Sequence, residues 1–198
     1  MSGNGSKGTI LVVGGGISGM TAAIEASEAG CDVVLVEKNP YLGGRVAQMY
    51  QYFPKLCPPV CGMEINLRRI RSNGKIRCLT MAEVEGISGD AGDYKVTVKQ
   101  HPRGVNEKCT SCGACSEACP EESPNDNNCP TPRPTATYRP FDAAYPPRYE
   151  LHESARSGDG CTRCRDASEH HPNELGGQPP TEEIEADAVV FATGWQPY

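Results

Sequence analysis

The apolar positions change period several times along the chain, and each change marks an element. Thr9 to Val13 (TILVV) is a short, nearly continuous apolar run, the pattern of a parallel strand buried on both faces. Met20, Ala23, Ile24 and Ala26 then recur at helical spacing, and Gly30 follows as a left-handed cap. Asp32 to Val36 (DVVLV) repeats the buried-strand pattern. Met63, Ile65, Leu67 and Ile70 predict a short helix, with Arg68, Arg69 and Arg71 as its solvated basic face. Tyr94, Val96 and Val98 alternate with polar residues after a GDAGD turn, so Ile76 to Gln100 reads as a small antiparallel appendage. TEEIEADAVVFATG, ending at Gly194, returns to strand character.

No period fits the stretch from Pro124 to Glu150, which carries too much proline for a helix or a central strand. It suits extended loops that metal–ligand bonds hold in place of a large apolar core. The expected organisation is an α/β fold with a parallel Rossmann-type sheet, built from residues 9–105 and 178–198. Residues 1–8 form a flexible N-terminus, and 106–177 are inserted as a ferredoxin-like segment. His101 to Val105 reads as a linker.

Chemistry enters between the first strand and helix. Gly14-x-Gly16-x-x-Gly19 follows Val13 at once, and the second strand ends on Glu37, eighteen residues after Gly19. Such glycines give a tight turn, close approach of backbone to a pyrophosphate, and close helix–strand packing. The helix amino end offers N–H groups to phosphate, and the acid accepts from ribose hydroxyls. Gly14, Gly15, Gly16, Ile17, Ser18, Gly19, Glu37 and Lys38 are therefore candidate dinucleotide contacts. Glu37 disfavours a phosphorylated ribose, which leaves NAD or FAD.

Eleven cysteines in 198 residues change the picture again. Cys109, Cys112, Cys115 and Cys119 with Pro120 spell C-x2-C-x2-C-x3-C-P, which wraps a 4Fe–4S cubane; zinc sites show two separated pairs instead. In two-cluster ferredoxins the cysteine before the proline serves the other cluster. Downstream stand only Cys161 and Cys164, with Ala167 where a third cysteine would be. Two readings stay open. Cys119 caps a single cluster with the three preceding thiols, or it joins Cys161 and Cys164 in a second cluster with an irregular ligand, Cys129 or a histidine at 170 or 171. Cys57 and Cys61 (C-x3-C) read equally as a redox or ligand pair and as small packing residues, while Cys31 and Cys78 read as core cysteines.

The net charge of -6 offers no broad basic surface for nucleic acid or anionic membrane. Met1 to Gly8 is polar, and the apolar run after it is shorter than the ~7–15 residues of a signal peptide or the ~20 of a spanning helix. The expectation is a cytoplasmic, reducing location. No nucleophile triad is legible, so no acid–base residue is assigned, and His152, His170 and His171 read as solvent-exposed.

Two further segments tilt the dinucleotide to FAD. NPYLGGR, with Gly43, Gly44 and Arg45, resembles the Gly-Gly-Arg segment of flavoproteins with two dinucleotide domains. ADAVVFATG, with Ala192, Thr193 and Gly194, resembles their Ala-Thr-Gly strand end. The full order, with YFPKLCPPVCGMEIN and the cysteine insert between, resembles the A-type subunit of heterodisulfide reductase and its relatives. Within that group it is most similar to the A-type subunit of the quinone-interacting membrane-bound oxidoreductase complex of sulfate reducers. The resemblance implies an electron-transfer subunit with FAD and one or two 4Fe–4S clusters. Its partners would be sister subunits, one of them a membrane quinone-reactive subunit, and a soluble redox protein such as adenylylsulfate reductase. Membrane association would come through those partners. The resemblance also implies a longer protein, whose later segments complete the FAD site, and hence weakened flavin affinity in this chain. The alternatives are a non-catalytic cluster-binding scaffold and a flavin-bifurcating heterodisulfide reductase subunit. Nesting the cluster segment within the flavin domain would fix the distance between the two centres.

Overall fold

The computed structural model describes residues 7–105, 108–123, 135–152, 161–167 and 180–195. The chain divides into two compact units, Met1–His101 with Pro180–Tyr198, and Pro102–Pro179. No described helix is long and apolar enough to cross a membrane.

The first unit is built on β1 (Thr9–Val13), α1 (Ile17–Glu28), β2 (Asp32–Glu37), α2 (Gly44–Ala47), α3 (Val60–Ser72) and β3 (Ile76–Thr80). It continues with β4 (Ala82–Asp90), β5 (Asp93–Gln100), β8 (Thr181–Ala186) and β9 (Ala188–Phe191). Four parallel strands pair in the order β3-β2-β1-β9, and β4-β5-β8 form a second, antiparallel sheet.

Alternation sorts the side chains between the two faces of the parallel sheet. Leu11, Val34, Val36 and Leu79 point to one face and form a core with Ala82, Val96, Val98, Ile184 and Ala186 of the second sheet. Val12, Val33 and Leu35 are equally buried and face the other way, toward the helical layer. There α1 buries Met20, Ala23 and Ile24, and α3 buries Met63, Leu67 and Ile70. The end of α1 is a Schellman turn. Gly30 N–H donates to Ser27 C=O, Cys31 N–H donates to Ala26 C=O, and Gly30 has φ +106°. Arg69 donates to Glu28 at 2.6 Å, so the basic face of α3 is partly used to tie it to α1.

One reading of the pattern is corrected here, and another is refined. Ile76–Thr80 is not part of the antiparallel appendage; it extends the parallel sheet as β3 beside β2. The apolar run near the C-terminal end is two strands in two sheets. Ile184 and Ala186 join β5, then Asp187 turns the chain and Ala188 begins to pair with β1. The turn is held by Asp187, whose N–H donates to Thr9 C=O while its carboxylate accepts from Thr9 N–H at 2.6 Å.

The described residues of the second unit form α4 (Ala114–Glu117), α5 (Cys161–Asp166), and an antiparallel ribbon of β6 (Thr137–Tyr138) and β7 (Glu150–Leu151). Its apolar cluster is small, with Ala136 and Leu151 buried and Cys119 packed against them. The His101–Val105 stretch is more than a linker. Val105 is buried, and Arg103 C=O accepts from Leu151 N–H beside the ribbon.

Arg77 of β3 and Glu182 of β8 make a two-pronged ion pair between the sheets, at 2.6 and 2.8 Å, with both side chains largely exposed. The hydrogen bonds from Arg77 hold the Glu182 carboxyl below its ordinary value. A depressed carboxylate stabilises the fold above its unfolded pKa, and that contribution disappears as the pH falls through the acidic range. Arg77→Met should therefore cost under about 1 kcal/mol at neutral pH, and nothing once the carboxyl is protonated. Leu35→Ala, which empties a fully buried position, should cost about 2–5 kcal/mol at both pH values. Urea midpoints measured at both pH values check the pair, and an Arg77 loss equal to that of Leu35 would reverse the ranking.

Candidate functional site

Each unit carries its own candidate site. In the first, a cavity of about 700 Å³ opens at the carboxyl ends of β1, β2 and β9. Gly14, Gly16, Ile17, Ser18, Glu37, Lys38, Gly43, Gly44, Arg45, Ala192, Thr193 and Gly194 all line it. These residues come from four separate stretches of chain, so parallel pairing is what brings them together. Gly15 and Gly19, the other two sequence candidates, lie behind the surface.

The glycines divide their work. A Cβ on Gly19 would stand 1.8 Å from the Gly14 carbonyl oxygen, and one on Gly14 would stand 2.4 Å from that of Ala192. These two allow helix, loop and β9 to touch. Gly16 is different. Its φ is -70°, which any residue adopts, and a Cβ there would meet no atom within 4 Å. It would instead project into the cavity, where a ligand has to approach the backbone. Gly16 also caps α1 with no side-chain bond, so first-turn N–H groups at Ile17 and Ser18 are left for an anion.

Glu37 is 5 % exposed and already engaged. One carboxylate oxygen accepts from Gly15 N–H at 2.6 Å and the other from Asn39 N–H at 2.8 Å. It therefore clamps the glycine loop to the end of β2, and its remaining lone pairs are what face the cavity. Sequence reasoning found the acid but not this clamp.

It also missed Trp195, which lies just past the last candidate glycine. The Arg45 guanidinium sits 4.5 Å from the Trp195 ring centroid, and its Nη1 donates to the Trp195 carbonyl at 3.5 Å. The pair forms one wall of the cavity, with Trp195 69 % exposed. An arginine followed much later by a tryptophan carries no sequence signal, because the contact depends on the β9 register.

Cys57 and Cys61 lie at the start of α3, Cys57 half-buried and Cys61 exposed. The Tyr52 phenol hydrogen-bonds to Cys57, which raises its pKa, with the field of both thiols adding to the effect. Cys78 is a strand residue whose thiol burial pushes up to about 11, as suits a core cysteine.

In the second unit the first three motif cysteines surround a short loop. Gly113, in the left-handed region, caps α4, and Ser111 N–H donates to the Cys109 sulfur at 3.4 Å. The Ser111 hydroxyl donates to Pro147 C=O at 2.5 Å, which ties the loop to the segment before the ribbon. From that segment Tyr149 reaches over the loop, and its phenol is raised first by burial and then, against Arg139, by the fields of Cys115, Cys109 and Cys112.

Cys115 is buried, and its thiol is pushed up to about 11 by desolvation and by the neighbouring Cys109 and Cys164. Such thiols stay protonated until a metal displaces the proton, so crowding and burial together favour metal over free thiolate. Among the described residues no three His, Cys, Asp or Glu side chains converge on a point that one ion could occupy.

Cys119 and Cys164 meet from α4's end and from α5. Burial opposes ionisation of Cys119, but backbone N–H groups of Glu121 and Thr137 and a hydrogen bond from Cys164 outweigh it, and the net shift is downward. Arg103 stands in electrostatic reach of Cys109, its pKa lowered to about 10 by desolvation against the field of Glu150. The side chain of Cys161 lies outside the described residues, as do Cys129, His170 and His171. His152 is half-buried, and its N–H donates to Ala136 C=O.

Comparison with known proteins gives these two regions their chemistry. Residues 9–72 match the FAD dependent oxidoreductase family, and residues 104–124 match the 4Fe-4S binding domain family. The cofactors of the two regions are FAD and a 4Fe–4S cluster. The chain is 33 % identical over 195 residues to the A-type subunit of the ferredoxin:CoB-CoM heterodisulfide reductase of Methanosarcina acetivorans, covering 95 % of this chain and 24 % of that protein. It is 39 % identical over 137 residues to the second A-type iron-sulfur subunit of the CoB–CoM heterodisulfide reductase of Methanopyrus kandleri, covering 69 % and 21 %. With the A-type subunit of the H(2):CoB-CoM heterodisulfide,ferredoxin reductase of Methanothermobacter marburgensis it shares 32 % over 189 residues, covering 95 % and 28 %. The chain thus spans about a quarter of the length of the curated relatives it matches, and those relatives are subunits of oxidoreductases.

The two glycines give a paired test of the first site. Gly16→Ala should fold with stability changed by no more than about 0.5 kcal/mol, yet bind FAD roughly tenfold or more weakly, a loss of ~1.4 kcal/mol. Gly19→Ala should destabilise the fold by about 1–3 kcal/mol or more, because the clash is with backbone. Flavin fluorescence titration and thermal melts separate the two. Unchanged FAD affinity in Gly16→Ala would remove the loop from the binding site.

Proposed function

We propose that this chain is the FAD- and cluster-bearing part of an electron-transfer subunit of the heterodisulfide reductase A type. The observation that carries the reading is the nesting. A cavity built on a glycine loop and a cysteine motif at cubane spacing occur in one chain, and heterodisulfide reductase subunits align with 95 % of its length.

When bound, FAD exchanges electrons in pairs or singly, and a 4Fe–4S cluster exchanges them one at a time, so together they convert between the two modes. The chain's own residues bind and orient. Gly16 and the first-turn N–H groups of α1 would take the pyrophosphate, and Gly43 and Gly44 line the same cavity from the next loop. Glu37 keeps the glycine loop seated and offers its free lone pairs to a ribose hydroxyl. Arg45, braced on Trp195, would offer a cation from the wall of the cavity. Ala192, Thr193 and Gly194 bound the cavity from β9. In the second unit Cys109, Cys112 and Cys115 would hold the cluster, with Tyr149 beside their loop and Arg103 in electrostatic reach of Cys109. Insertion joins the two units through two chain connections, so the centres share one polypeptide without a diffusional encounter.

The partners of such a subunit are sister subunits of the same complex. The relatives' names point to a CoB–CoM heterodisulfide and a ferredoxin, and this version leads. The motif order also resembles the quinone-interacting complex, whose version of the role exchanges electrons with adenylylsulfate reductase and a membrane quinone-reactive subunit.

The test is anaerobic reconstitution with FAD, iron and sulfide, followed by gel filtration. The expected product retains flavin near one per chain together with iron and acid-labile sulfide. Flavin lost while the cluster stays would favour the cluster-binding scaffold, and loss of both would end the proposal. Purifying the native complex then identifies which sister subunits co-purify and separates the heterodisulfide from the quinone version.

A further inference from the structure

Two cations, Lys38 and Arg45, line the cavity of the first unit, and the position of Arg45 is set from both ends of its side chain. Its backbone begins where the second glycine turn meets the first. Gly43 N–H donates to Gly15 C=O at 2.8 Å, and a Cβ on Gly44 would stand 3.1 Å from the Gly16 Cα. Arg45 is the next residue, so its side chain starts beside the loop that would face the phosphates of a dinucleotide.

Trp195 arrives from a distant stretch of the chain. Ala192 N–H donates to Val13 C=O at 2.8 Å, which continues the pairing of β9 with β1 and seats Ala192 to Trp195 on the cavity wall. There the centre of the indole ring lies 4.5 Å from the Arg45 guanidinium carbon, and the Trp195 carbonyl accepts from Arg45 Nη1 at 3.5 Å. Two separate groups of one residue therefore hold the same guanidinium. The tryptophan is largely exposed, so burial in the core is not its contribution.

An unrestrained arginine spreads over many rotamers, and fixing it on a ligand costs entropy. An aromatic face and a carbonyl that restrict it beforehand take part of that cost out of the binding step. The carbonyl engages one of five guanidinium N–H groups, and phosphate oxygens are bound by such groups in pairs.

We infer that Trp195 is a positioning residue for FAD, which presets the Arg45 guanidinium for the pyrophosphate. The inference rests on reading the cavity as the FAD site and deepens it by assigning the pair to one end of the dinucleotide. Lys38, on the same wall, is the rival cation.

The experiment titrates FAD into the full chain by flavin fluorescence and displaces it with ADP, which carries the pyrophosphate without the flavin. Trp195→Ala should weaken FAD and ADP by the same factor, about two- to fivefold. Trp195→Phe, which keeps an aromatic face, should recover most of that loss. Arg45→Met should weaken both ligands at least as much, and adding Trp195→Ala to it should cost nothing more. Thermal melts without ligand should match wild type in all these variants, because both side chains are exposed. Unchanged FAD affinity in Trp195→Ala overturns the inference, and so does a further loss when that change is added to Arg45→Met. Unchanged affinity in Arg45→Met gives the phosphate to Lys38 and overturns it too. Weaker FAD with ADP untouched puts the pair at the flavin end, which contradicts it. Each of these results leaves FAD in the cavity, whereas a wild-type chain that binds neither FAD nor ADP ends the reading of the cavity itself.

Discussion

Three backbone segments meet at Gly14 and Gly19 with no room for a side chain, and the first unit depends on that contact. The loop carbonyl of Gly14 lies where a Cβ of Gly19 would be, and the Ala192 carbonyl lies where that of Gly14 would be. This brings the amino end of α1 down onto β1 and β9. Glu37 completes the arrangement from β2 by accepting the Gly15 N–H. Four stretches of chain are thereby fixed around one cavity before any ligand contributes.

The second unit solves a different problem. Its described residues form two short helices, a two-stranded ribbon and a small apolar cluster, which is little surface to bury against the entropy of ordering its loops. Cys115 and Cys164 are buried within it, and polar contacts gather around the first motif loop. Ser111 ties the loop to Pro147, Tyr149 covers it, and Arg103 sits beside Cys109. In such a unit cluster binding and folding are linked, since metal–thiolate bonds supply what apolar burial does not.

Much of the site was legible because its chemistry is local. The glycine spacing, Glu37 at the end of a strand, and the four cysteines before Pro120 each sit in a few consecutive residues. What escaped depends on distant pairing. Ile76–Thr80 looked like the start of a hairpin, since a short strand's own pattern does not reveal whether its neighbour runs parallel. His101 to Val105 looked like a linker because burial of Val105 and the bond from Leu151 to Arg103 arise only when the ribbon folds back. Trp195 and Tyr149 were missed for the same reason.

The sequence by itself determined which chemistries are available: a phosphate-cradling loop, an acid, and thiols at cubane spacing. Those follow from residue type and short-range geometry, which survive without the rest of the molecule. Only the tertiary structure decided how they are used. It committed both oxygens of Glu37 to the backbone, left Gly16 facing open space, stacked Arg45 on Trp195, and buried Cys115 and Cys164 while leaving Cys112 exposed. Each of these is a contact set by strand register and packing, and no local pattern encodes it.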